Sequence, residues 1–186
     1  SDIALINIET GVIKNIANTA AGESSPQFSP DGSLISYYST ENPNDWPGAK
    51  HAKVYALADG KTLRLKATPN EDGSILGWTA DGKNIVWSES NKTLTSIYTL
   101  SVDGKNITEL SKGEKNYIGA AKINASHTFI SFTLQNTSQF PELYVSKLSE
   151  YAPFKITSIN AGISSMPLGR TEVIKWKGAD GLEIEG

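Results

Sequence analysis

Short apolar runs alternate with turn-forming residues along almost the whole chain, and no long stretch carries the periodicity of an amphipathic helix. One fifteen-residue pattern of this kind occurs three times: SPQFSPDGSLISYYS from Ser25, LGWTADGKNIVWSES from Leu76 and GAAKINASHTFISFT from Gly119. Asp31, Asp81 and Ser126 hold one equivalent position. Phe28, Trp78 and Ile123 precede it at a fixed offset, and Ile35, Ile85 and Ile130, then Tyr37, Trp87 and Phe132, follow it. The pattern returns after fifty and then forty-five residues, as in repeat architectures whose units bury their apolar faces only against one another.

Within each copy two strands flank a turn, for example 27–29 and 34–39 around Pro30, Asp31 and Gly32. Glycine accepts the positive φ of a tight hairpin, and aspartate bonds its own backbone there. A second hairpin follows each time: 53–58 with 63–68, 96–101 with 107–110, and 142–148 with 154–159. Tyr55, Tyr98 and Tyr144 align within these hairpins. Each unit therefore has four antiparallel strands. Residues 3–17, with a turn at Thr10 and Gly11, match only the second hairpin of a unit. Runs such as LISYY and NIVW are apolar on both faces, which suits a sheet covered on each side by a neighbour in a ring.

The expected fold is all-β, a partial β-propeller of four-stranded antiparallel blades, about three and a half of them. It would span 1–168: the second half of one blade, then blades at about 25–73, 74–116 and 117–162. Closed rings take about four to eight blades, so open blade faces and edges are expected to invite self-association. Residues 169–186, GRTEVIKWKGADGLEIEG, break the repeat and read as a β-hairpin tail: a strand over 173–177, a turn at Ala179, Asp180 and Gly181, and a second strand from Leu182.

Seventeen basic and twenty acidic residues leave a formal charge of −3 without a Lys/Arg cluster, so a nucleic-acid partner is not expected. No apolar run approaches a membrane span, so no membrane partner is expected either. The absence of cysteine excludes disulfides, thiolate nucleophiles and Cys-ligated zinc. It leaves the compartment open between bacterial cytoplasm and periplasm.

The SPDG and TADG hairpins, followed by VYALADGKTLRL and IYTLSVDGKNITEL, resemble the blades of TolB-like propellers. Such blades also occur in the prolyl oligopeptidase family of serine peptidases, including its acylaminoacyl-peptidase and dipeptidyl-peptidase branches. The tail TEVIKWKGADGLEIEG is similar to the junction at which such a peptidase leaves its propeller and begins an α/β-hydrolase domain. The resemblance implies that 169–186 is that junction, with the first hairpin of a C-terminal hydrolase domain that this chain only enters. Family chemistry requires a serine in GxSxG with an aspartate and a histidine. No GxSxG occurs here, and the resemblance places all three residues beyond Gly186. No catalytic residue, cofactor or metal is therefore assigned, and the chain alone is expected to be inactive. The implied role is a propeller that gates a short peptide substrate and docks the catalytic domain. The rival is a non-enzymatic TolB-like propeller that binds a protein or peptide. A propeller enzyme working in its central channel would need convergent acids or histidines on the inner strands, and 27–29 and 77–79 carry none.

Other candidates reduce to structure. His51 and His127 lack the spacing of a metal site, and His127 occupies the turn slot of Gly32 and Gly82. Glu71 and Asp72 are adjacent carboxylates whose side chains are expected to point apart in a solvated loop. The one departure from the repeat is an insertion over 41–51, ENPNDWPGAKH. Its Trp46 is a candidate contact for substrate or partner, against the plainer alternative that it caps its own blade. In an up-down blade the Asp-Gly turns lie on one face of the disc and this insertion on the other, from which the chain leaves toward Gly169.

Overall fold

The structure, a computed structural model, describes residues 2–40, 49–113, 116–163, 166, 169 and 171–186. Three four-stranded antiparallel sheets run in chain order. The first holds β3 (Glu23–Phe28), β4 (Leu34–Thr40), β5 (Lys50–Ala56) and β6 (Thr62–Arg64). The second holds β7 (Gly73–Trp78), β8 (Asn84–Asn91), β9 (Leu94–Ser101) and β10 (Ile107–Glu109). The third holds β11 (Tyr117–Ile123), β12 (Phe129–Asn136), β13 (Gln139–Lys147) and β14 (Phe154–Lys155). A two-stranded sheet, β1 (Ile3–Ile6) with β2 (Ile13–Ala17), precedes them, and a second, β15 (Lys175–Lys177) with β16 (Glu183–Glu185), follows. The only helical element among the described residues is a 3₁₀ turn at Ala161–Ile163. The expected all-β architecture of a partial propeller is observed, with one half-blade and three full blades.

Alternation along each strand sends successive side chains to opposite faces, and both faces are apolar because both are covered. Ile85, Trp87, Tyr98 and Leu100 of the second blade pack with Ala52, Val54 and Leu65 of the first. Val86 and Ile97, on the opposite face, pack instead with Ile118, Ile130, Phe132 and Leu134 of the third. Ile35, Tyr37 and Tyr55 of the first blade meet Ile3 and Ala17 of the half-blade. The core is thus a series of layers between blades. Polar links join successive blades as well: Trp78 Nε1 donates to the Gln27 carbonyl at 3.3 Å, and His127 Nδ1, in the β11–β12 turn, lies 3.2 Å from the Trp78 carbonyl.

Two details depart from the sequence reading. The outermost strands are only two or three residues long. They have a single neighbour, and the chain peels away to serve other bonds. Tyr55 also does not align with Tyr98 and Tyr144. Tyr98 pairs with Trp87 and Tyr144 with Phe132, whereas the partner of Tyr37 is Lys53 and Tyr55 faces Ile35. A displacement of two residues keeps a side chain on the same face, so hydrophobic pattern alone does not register it.

The peeling segments close a recurrent clasp on a buried carboxylate. Thr19 donates its hydroxyl to Glu23 after β2. Thr68 does the same to Glu89 after β6, with the Asn70 N–H at 3.3 Å and Trp87 Nε1 at 3.2 Å. Thr157 does it to Glu142 after β14, with the Ile159 and Asn160 N–H groups at 3.2 and 3.0 Å. The Thr157 hydroxyl, then these two N–H groups, hold the Glu142 carboxyl below its ordinary range against the opposing effect of burial. All three carboxylates are at most 3% exposed. In the second blade the Trp87 indole crosses Gly73, where a Cβ would stand 2.1 Å from Nε1.

The Asp-Gly turns share one construction. Asp31 accepts from the Ser29 hydroxyl at 2.6 Å and from the Ser33 N–H at 3.0 Å. Asp81 does so from Thr79 and Lys83, and Asp103 from Ser101 and Lys105. In the third blade Asn124 replaces the acid as acceptor for the Thr128 and Phe129 N–H groups. Gly32 and Gly82 stand at φ 73° and 66°, and His127 takes the same left-handed slot at 56°.

Two outcomes follow from these bonds. Glu89→Leu leaves the Thr68 hydroxyl, the Asn70 N–H and Trp87 Nε1 without their acceptor, each such buried loss costing about 1–3 kcal/mol. Urea unfolding of this variant is expected to show a stability loss of about 3 kcal/mol. The second outcome concerns acid. The Ser29 hydroxyl foremost, then the Ser33 N–H and hydroxyl, bring the Asp31 carboxyl down to about 2, and the hydroxyls of Thr79 and Ser101 lower Asp81 and Asp103. A carboxyl lowered by folding contributes stability above its unfolded value, and that contribution is lost as pH falls through the folded one. The urea midpoint is expected to drop between about pH 4 and 2, and less steeply in Asp31→Asn; an equal slope in both proteins would contradict the assignment.

Candidate functional site

Antiparallel succession sorts the loops onto two faces of the disc. The Asp-Gly turns share one face. Their carboxylates accept turn hydroxyls and N–H groups, and in the 380 Å³ hollow there, between Asp81, Thr99, His127 and Leu148, Asp81 uses Oδ1 for both the Thr79 hydroxyl and the Lys83 N–H. The other face receives the β8–β9 and β12–β13 turns, and it is where β4 ends and β5 begins.

The tail hairpin sits on this second face. Its register pairs Lys175 with Glu185, Trp176 with Ile184 and Lys177 with Glu183. The four charged residues therefore share one side of the hairpin and Trp176 and Ile184 the other. Lys175 bonds Glu183 at 3.0 Å, which raises the lysine from its ordinary range and lowers the glutamate. Glu185, whose side chain is only 13% exposed, meets Lys92 of the β8–β9 turn at 3.5 Å. Of the charged side only Glu185 engages the second blade; Lys175 and Glu183 are 56% and 59% exposed, and Trp176 and Ile184 on the other side 46% and 40%.

Between the hairpin and the blades lies a cleft of about 560 Å³. Thr93 and the pair Tyr117 and Gln135 form its propeller side, and Thr171 and Val173 its tail side. The β12–β13 turn on its rim is braced from within: Asn136 Nδ2 donates to Asn116 Oδ1 at 2.7 Å, and Asn136 Oδ1 accepts the Ser138 N–H at 2.8 Å.

Trp46, the one contact residue expected from sequence, lies outside the described residues. The strand that follows its segment is firmly tied down. Lys50 pairs with Asp72 at 2.9 Å, and the Lys50 N–H donates to the Glu71 carbonyl. His51 is buried, with Nδ1 at 2.7 Å from Glu71 Oε2 and 2.8 Å from Arg64 Nη2. Glu71 and Asp72 do point apart, toward different partners, but Glu71 belongs to an ionic clamp rather than a solvated loop. Its φ of 49° turns the backbone into this position. Neither this clamp nor the cleft has a local signal in the sequence, since their members come from separate strands and loops.

No protein-family model matches the chain. It is 27% identical over 118 residues to dipeptidyl-peptidase 5 of Porphyromonas gingivalis, a match that covers 63% of this chain and 17% of that protein. The isopeptidase AtxE2 superposes with a TM-score of 0.68 at 11% identity, over 98% of this chain and 28% of its own. TolB from Acinetobacter baumannii superposes with a TM-score of 0.59 at 18% identity, over 84% of this chain and 37% of its own. At these identities the structural likenesses establish the fold, while the sequence match points to a peptidase. The chain is a partial propeller similar to those of prolyl oligopeptidase-family peptidases, as its repeats and tail imply.

Proposed function

We propose that this chain is the propeller portion of a serine peptidase acting on short peptides. Here it docks a C-terminal α/β-hydrolase domain and gates the passage of substrate. The observation that carries the reading is the tail hairpin itself, held to the second blade through Glu185 and Lys92 and leaving Trp176 and Ile184 46% and 40% exposed. A two-stranded hairpin is at best marginal by itself, and a large apolar pair left partly exposed on it calls for a cover. The likeness to the isopeptidase extends over propeller and hairpin together; in this reading the boundary lies near 168 and 169–186 begins the next domain. In this reading the face bearing the hairpin borders the catalytic chamber, and Trp46 contacts substrate or the docked domain.

The likeness to TolB favours a second reading, a propeller that binds a protein or peptide without chemistry of its own. The full reading frame that contains this chain separates the two. The full-length protein is expected to hydrolyse short peptide anilides and to be labelled by a fluorophosphonate, while residues 1–186 alone do neither. Trp176→Asp combined with Ile184→Asp is expected to lower turnover at least tenfold with the urea midpoint of the blades unchanged. A full-length protein that takes no label and cleaves nothing would leave the binding propeller as the correct reading.

A further inference from the structure

Tyr117 and Gln135 are register partners across β11 and β12. Directly opposed residues stand on one face of a sheet with Cβ atoms about 5 Å apart, and both side chains line the cleft beside the tail hairpin. The tyrosine is 48% exposed. The Gln135 side chain is half-buried, and no hydrogen bond engages its carboxamide among the described residues. Around this pair the wall continues with Thr93, Thr137 and Thr171, and among the described residues Glu172 is the only one in the lining with a carboxylate side chain. The cleft therefore offers donors and acceptors in mixture, one aromatic surface and little charge.

That chemistry suits a peptide main chain better than an ion or a charged side chain. In an extended peptide the N–H and C=O of one residue project to the same side, as they do toward a neighbouring strand. A carboxamide presents one acceptor and one donor in a single plane, so one glutamine can bond both groups of such a residue. A tyrosine ring beside it supplies a flat apolar surface for the adjoining residue, with its hydroxyl at the wet rim. The volume of about 560 Å³ falls within the range of small-ligand sites.

We propose that Gln135 and Tyr117 form a subsite for an extended, uncharged peptide segment, Gln135 bonding the main chain of one residue and Tyr117 carrying its neighbour. The identity of the ligand as a peptide rests on the function proposed above; the pairing of ring and amide does not.

The test measures binding to the full-length protein after fluorophosphonate treatment, by calorimetry. The probes are an uncharged octapeptide and copies of it N-methylated at one residue at a time. Methylation at one position is expected to weaken binding at least fivefold. Gln135→Met, similar in volume but lacking the carboxamide, is expected to weaken the parent peptide by the same factor and to be indifferent to methylation at that position. Tyr117→Ala is expected to weaken every peptide alike. The subsite is overturned if the octapeptide does not bind, if all methylated copies bind equally, or if Gln135→Met binds the parent peptide as the wild type does. Any of these results in a protein that still labels and cleaves peptides refutes the subsite and leaves the peptidase reading standing. The expected pattern in a protein that neither labels nor cleaves retains the subsite and removes the peptidase.

Discussion

Face-to-face packing between successive blades is the constraint on which the rest depends. A single four-stranded meander has no interior, and these meanders are apolar on both sides. Ile85 and Trp87 point to the first blade, and Val86 between them points to the third. Each blade is thus both core and cover for its neighbours, which is why stability in such arrays arises largely from nearest-neighbour contacts. Trp78, Trp87 and Phe132, all at most 1% exposed, are the largest fully buried side chains in these layers. They also determine what else can fit, as Gly73 shows where the Trp87 indole occupies the space of a side chain.

Apolar layers alone do not hold a blade at a particular angle, because apolar contact is non-directional. Directional bonds between units come from two of the polar clasps, Thr19 to Glu23 and Thr68 to Glu89; the third, Thr157 to Glu142, ties the exit of the third blade to its own β13. Each carboxylate lies in the same cross-strand row of its blade, yet on a different strand: Glu23 opposite Ser39, Glu89 opposite Gly73, Glu142 opposite Leu134. A threonine from the departing chain reaches each one. Leaving the outermost strand early is what frees that threonine, so the short outer strands and the buried acids are two aspects of one arrangement. The ionic clamp of His51, Arg64 and Glu71 adds a further tie in the first blade, between β5, β6 and the connection to β7.

With the blades fixed, the two faces of the disc acquire different characters. The face of the Asp-Gly turns has its carboxylates engaged locally. The opposite face holds two-residue strand turns, an open cleft and a hairpin whose Trp176 and Ile184 are partly exposed. This asymmetry, more than any single residue, is what supports the proposed role in docking and substrate passage. The catalytic chemistry of a peptidase would come from a neighbouring domain, and the contribution of this chain would be shape and main-chain recognition.

Sequence by itself determined the repeat, the four-stranded units, the turns and the separate tail, because each follows from local rules. Alternation sets which face a side chain takes, Asp-Gly sets where the chain reverses, and the change from repeat to KWKGADGLEIE marks a different element. The same locality limited the reading. An offset of two residues left Tyr55 on the expected face while misaligning it with Tyr98 and Tyr144, since a period of two is blind to even shifts. The clasps gave no repeat signal because their glutamates sit on three different strands. Which side of the hairpin meets Lys92, the ring of bonds around His51, and the meeting of Tyr117 and Gln135 beside Thr171 all join residues distant along the chain. Those arrangements were decided only when the blades packed, because packing and charge pairing act between neighbours in space.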